Sequence, residues 1–167
     1  MATPEITPDY GLLARLSEIG GVPGREERVR ELIAAELDGY VDSLETDAMG
    51  NLIARKKSKK KGAKRVLIAA HMDEIGFYVR FVDDSGFLRL QPLGGFDART
   101  LFARQVTVHT SGGEELVGVL NPGVKPIHIA PQDEREQVPK LTDFFVDTGL
   151  DADTVRAKVQ LLSLIHI

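Results

Sequence analysis

Residues 66–79 read VLIAAHMDEIGFYV. An apolar run, residues 66–70, leads into His71, Asp73 and Glu74, and apolar character resumes at Ile75. An imidazole and a carboxylate two positions apart share one face of an extended chain, because strand side chains alternate with period two. A carboxylate beside an imidazole holds its tautomer and raises its basicity, the support that a metal-bound histidine has. The carboxyl end of a strand is also where open α/β sheets bind ligands. The competing reading is a capped strand end whose charged groups face solvent, and His-x-Asp by itself does not decide between them.

Other residues could join such a site. Asp147, in FFVDTG, ends a second apolar strand and is either a metal carboxylate or the start of a turn before Gly149. His128, in KPIHIAP, lies between prolines as a ligand or a packing residue. His109 has no acidic partner close in sequence, and His166 sits in an unusual C-terminal segment. Cysteine is absent, so any metal must be held by His, Asp and Glu, and no disulfide framework exists. Neither a HExxH zinc helix nor a GxSxG nucleophile elbow is present. GGVPG, residues 20–24, matches no phosphate-loop pattern and reads as a turn between helices.

The elements that would position these residues fall into two kinds. Residues 10–19 and 25–37 carry apolar side chains at helical spacing, the second with Val29, Leu32, Ile33 and Leu37 on one stripe and Gly39 as its stop. Residues 43–57 form two extended pieces around a turn at Gly50-Asn51, and residues 66–70 read as a buried strand. Beyond His71 come short strand-like segments at 76–82, 86–91, 105–110, 115–120 and 143–147. Gly, Pro, Asp and Ser punctuate them in the rhythm of a small sandwich or barrel. The first part is therefore α/β and the second all-β, with the boundary just after the HMDE cluster. Residues 151–159 start like a helix with an aspartate cap. The final LSLIHI resembles the translated end of a transposon-based sequencing adapter, which would set residues 161–167 apart as a non-native tail; the competing reading is a natural apolar C-terminal strand.

The chain has 167 residues and a net charge of −4, enough length for a genuine core and no overall basic character to suggest a nucleic-acid binder. Residues 55–65 nonetheless hold eight basic side chains, either a phosphate or nucleic-acid patch or a solvated hairpin tip, the tip being favoured because no aromatics interleave them for base stacking. No apolar run approaches the ~20 residues of a membrane span. The N-terminus lacks the basic start and apolar core of a signal peptide, so a cytoplasmic location is expected.

AAHMDEIGFYV resembles the first metal motif of the glutamyl/deblocking aminopeptidase family, the TET-type dinuclear metallopeptidases, some of which carry an endoglucanase label. GGVPGREERVRELI, DAMGNLIA, GVLNPGVKPIHI and VPKLTDFFVDTGLDADTV resemble further family segments in the same order, covering nearly all of residues 10–158. The resemblance implies an α/β fold: part of a three-layer α/β peptidase domain, interrupted by an inserted PDZ-like β-barrel used in assembly. Residues 1–76 would belong to the catalytic domain and 77–160 to the insertion. His71 would be the first metal-binding histidine and Asp73 the supporting catalytic aspartate; Glu74 belongs to the motif with no step assigned. Asp147 would lie in the insertion, away from the metals.

The implied activity is removal of N-terminal residues from peptides, using two divalent ions, Zn²⁺ or Co²⁺, in a homo-oligomer with no nucleic-acid or membrane partner. The family's other ligands and general base lie beyond the inserted domain, so the chain is expected to be inactive alone. Residues 77–147 are expected to be able to fold by themselves. One alternative is a non-catalytic barrel used for assembly or binding. The other is a glycoside hydrolase, disfavoured because adjacent Asp73 and Glu74 face opposite ways on a strand, whereas that chemistry needs two carboxylates across one sugar.

Overall fold

A computed structural model describes residues 8–126 and 128–167. The chain forms two compact units. One comprises the residues up to Gly21 together with Arg25–Asp73; the other comprises Val22–Gly24 and Glu74–Ile167. The class is mixed α/β with a closed six-stranded β-barrel.

In the first unit, helix α1 spans Tyr10–Glu18, and Asp9 caps it by accepting the Leu12 N–H at 3.0 Å. Helix α2 spans Glu27–Leu37. It ends where Gly39 takes φ +74°, a left-handed conformation that a side chain would oppose. Arg15 reaches Glu36 across the two helices at 2.5 Å. Val29 is buried, whereas Leu32, Ile33 and Leu37 on the same stripe are half-buried. Strands β1 (Ser43–Thr46) and β2 (Leu52–Arg55) pair as an antiparallel hairpin. Its turn is held by Asp47, whose carboxylate accepts the N–H groups of Met49 and Asn51, both at 2.9 Å, and the Asn51 side-chain amide at 2.8 Å. The Asn51 side chain leads these bonds in holding the Asp47 carboxyl below the usual carboxylate range.

Residues 66–70 depart from expectation. They form no strand, and Val66, Leu67 and Ile68 are 82%, 89% and 89% exposed. An apolar run becomes a buried strand only when neighbours accept its backbone hydrogen bonds and cover its side chains. Residues 66–70 belong to no ladder among the described residues. The basic run is therefore an exposed loop following β2 and not the tip of a hairpin.

In the second unit the strands lie where the punctuation predicts, with edges moved by one or two residues. They are β3 (Gly76–Val82), β4 (Leu88–Leu93), β5 (Arg104–His109), β6 (Glu115–Pro122) and β7 (Phe144–Asp147). With β8 (Leu164–His166) they close in the order β3-β4-β7-β6-β5-β8, each neighbouring pair antiparallel. Alternation directs Phe77, Val79, Leu88, Leu90, Val106, Val108, Leu120 and Val146 inward, all at most 5% exposed. A register shift between Val79 and Phe81 marks a bulge, which adds the local twist that closure needs. Gly118 is required by packing: a Cβ there would collide with the Val146 side chain.

Two short elements complete this unit. Helix α3 spans Gln132–Arg135. Helix α4 spans Ala152–Lys158 and begins at the predicted Asp151 cap, which accepts the Thr154 N–H at 3.0 Å. Its Val155, with Val159 just beyond, joins the barrel core. Within residues 161–167, β8 fills the gap between β3 and β5, with Ile165 fully buried. Backbone ladders place no demand on sequence, so a short apolar segment of sufficient reach satisfies two open edges.

Candidate functional site

The candidate site is built on the loop that follows residues 66–70, not on a strand end. His71 Nδ1 lies 2.8 Å from the backbone oxygen of Asp73 and 3.3 Å from its Oδ1. A carbonyl oxygen can only accept, so Nδ1 carries the proton and Nε2 the lone pair. Sequence reasoning assigned the bracing role to the Asp73 carboxylate; the nearer partner is the Asp73 main chain. The His71 side chain is 82% exposed and that of Asp73 36%, so the lone pair is open to solvent.

Glu74 does not join this pair. It belongs to the second unit, where its carboxylate pairs with His166. Burial pushes the Glu74 carboxyl above its usual range, and the attraction and hydrogen bonding of His166 offset part of that rise. Asp147 ends β7 and accepts the Gly149 N–H at 2.8 Å, the turn-forming role weighed against a metal role. His128 is exposed in the loop after β6. His109 has an acidic partner that spacing alone missed: β5 and β6 place it opposite Glu115, with 3.3 Å between His109 Nδ1 and Glu115 Oε1. The short GG-containing turn between those strands was the signal that could have fixed this register.

Neutral imidazole and carboxylate are donors of the kind that zinc or cobalt takes. They suit such an ion in kind and fall short in number. Among the described residues no three His, Cys, Asp or Glu side chains converge. His71 and Asp73 make no complete metal site by themselves, and no catalytic step follows from these residues alone.

The comparisons with known proteins supply the wider frame. Residues 50–166 match the family described as M42 glutamyl aminopeptidase. The chain belongs to this family of peptidases. It is 38% identical to the lysyl aminopeptidase of Pyrococcus furiosus over 120 residues, 70% of this chain and 34% of that protein. Among solved structures it resembles an aminopeptidase from the archaeon Desulfurococcus kamchatkensis, with TM-score 0.80, 34% identity, and 93% of this chain aligned to 42% of that one. It also resembles the Pyrococcus horikoshii TET1 peptidase, described as able to assemble into a tetrahedron or a large octahedral shell. There the TM-score is 0.77 and the identity 32%, over 93% of this chain and 45% of that chain. The chain thus spans less than half the length of these relatives.

Proposed function

We propose that this chain is the amino-terminal portion of a metal-dependent aminopeptidase that removes N-terminal residues from peptides. The observation that carries the reading is His71: an exposed imidazole with Nδ1 occupied by Asp73 and Nε2 free to bind a cation, in a chain of an aminopeptidase family. His71 is assigned as a metal ligand and Asp73 as the residue that orients it. Two divalent ions, zinc or cobalt, would polarise the scissile carbonyl and supply a hydroxide nucleophile when bound. The remaining ligands and the general base are assigned to residues outside this chain, a reading supported by the described residues, which bring no three His, Cys, Asp or Glu side chains together. Residues 1–76 are assigned to the catalytic domain and the barrel to assembly into a homo-oligomer, a reading supported by the shells described for the TET1 peptidase. A cytoplasmic location fits the absence of a membrane-crossing helix among the described residues.

The test compares two proteins against aminoacyl-4-nitroanilides. A full-length polypeptide containing this segment is expected to hydrolyse them, to lose activity to chelator and to regain it with Zn²⁺ or Co²⁺. The purified 167-residue chain is expected to show no chelator-sensitive turnover. Chelator-resistant turnover by the full-length protein would refute metal dependence, and clear chelator-sensitive turnover by the short chain would refute the division of the site.

A further inference from the structure

The basic run that the peptidase reading leaves unused has a structure suited to a ligand of its own. Residues 55–65 contain eight of the 21 basic residues and none of the 25 acidic ones, so the charge of this otherwise acidic chain is strongly segregated. The loop is anchored at its start. Arg55 pairs with Glu45 at 2.7 Å, the Lys56 ammonium donates to the Tyr40 carbonyl at 2.5 Å, and the Lys57 N–H donates to Asp42 at 2.5 Å. Beyond those anchors the compensation stops. Lys59, Lys60, Lys61, Lys64 and Arg65 are exposed, and their cationic groups meet no acid among the described residues. A turn through Lys60 and Ala63, with Gly62 at φ +73°, folds the run back on itself and keeps these charges together. A fully extended chain advances at most ~3.6 Å per residue. Positions 59–65 therefore span at most ~22 Å of chain, under three Debye lengths at physiological salt, and neighbouring charges within the run reinforce one another's potential.

We infer that this loop is a docking strip for a phosphate polymer, held through its backbone charge without regard to sequence. Four of the five free cations are lysines, point charges with no planar fork, which respond to charge density more than to the shape of a carboxylate. Linear phosphate polymers have high charge density and condensed counterions, whose release drives binding. Residues 56–65 contain no aromatic side chain and one apolar residue, Ala63. Base stacking is thereby removed as a contributor, and the loop itself carries no apolar side chain large enough to insert into a membrane, the second signal a membrane anchor needs. The inference is independent of the peptidase reading.

The experiment uses the whole chain and a fluorescent 20-nucleotide polyuridylate, followed by anisotropy across salt. With about five phosphates neutralised, the slope of log K against log salt should be near −3.5, or about a 100-fold loss between 50 and 200 mM. The combined variant Lys59→Gln, Lys60→Gln, Lys61→Gln, Lys64→Gln, Arg65→Gln should bind at least tenfold more weakly at 50 mM salt and lose most of the slope. Inorganic polyphosphate should compete on the wild type; failure to compete would show that bases or sugars are read and would overturn the inference. So would a variant that binds within twofold of the wild type. Equal affinity for polyglutamate of matched charge, or for vesicles rich in phosphatidylserine, would also overturn it. The vesicle arm matters because exposed Val66, Leu67 and Ile68 follow the loop. Amine footprinting of the wild type gives a reading that does not depend on how the variant folds. Protection of Lys59–Lys61 and Lys64 by polyuridylate supports the strip, and unchanged labelling overturns it.

Discussion

The Asp73 main chain occupies His71 Nδ1 and leaves Nε2 as the nitrogen for the proposed metal. Because the nearer brace is a main-chain carbonyl, Asp73→Asn keeps part of the support and His71→Ala keeps none. In the full-length protein, Asp73→Asn is expected to weaken zinc binding at this site about tenfold, the low end for loss of an orienting partner. His71→Ala should abolish binding at this ligand's ion; zinc titration calorimetry checks both. Asp83 shows how a carboxylate acts when its role is structural. Burial alone would raise its pKa, but Arg89, donating at 2.8 and 3.0 Å, and the N–H groups of Phe87 and Ser85 outweigh it and lower it. A carboxyl whose folded pKa is depressed stabilises the fold above its unfolded pKa, and that contribution is lost as pH falls through the folded value. Thermal midpoints of Asp83→Asn should therefore fall below wild type at neutral pH and converge with it in acid, below the ordinary carboxylate range.

At the scale of elements, the barrel's turns and core carry the larger energies. Gly86 turns between β3 and β4 at φ +90°, and a Cβ there would lie 2.9 Å from the Ala152 Cα. Gly86→Ala should cost at least the ~1–2 kcal/mol of left-handed strain. Phe144 is fully buried and meets the edge of Phe102 at 5.7 Å between ring centres. Phe144→Ala should destabilise the barrel by about 3–5 kcal/mol, measured by urea unfolding of the two proteins side by side. Secondary structure in this half was legible because its determinants are local. Alternating apolar residues, Gly-marked turns and an aspartate cap each act within a few positions. The run at 66–70 misled for the opposite reason. Its apolar character states a demand for burial, and only neighbouring strands can meet it.

At the scale of the molecule, the two units are unequally built. Thirteen buried residues form one core in the second unit, whereas Val29 is the buried apolar side chain of the first among the described residues. Opening energies follow buried contacts, so hydrogen exchange should separate the units. Amides of β3, β5 and β6 should be strongly protected, while residues 56–70 should exchange at rates near those of an unfolded chain. Strong protection at 66–70 in the isolated chain would show that this segment finds a partner strand. The aminopeptidase family was legible from motifs whose order along the chain is more specific than any one of them, HMDEIG foremost.

The sequence by itself determined the mixed class, helices α1, α2 and α4, strands β3 to β7, the absence of thiolate ligands in this chain, and the His71–Asp73 candidate. Those properties depend on residue type and on spacing along the chain. Tertiary structure decided that β8 closes the barrel, that Glu74 turns to His166, that Glu115 faces His109, and that residues 66–70 stay uncovered. Each of these depends on which distant segment comes alongside, and neither local spacing nor side-chain character specifies a neighbour.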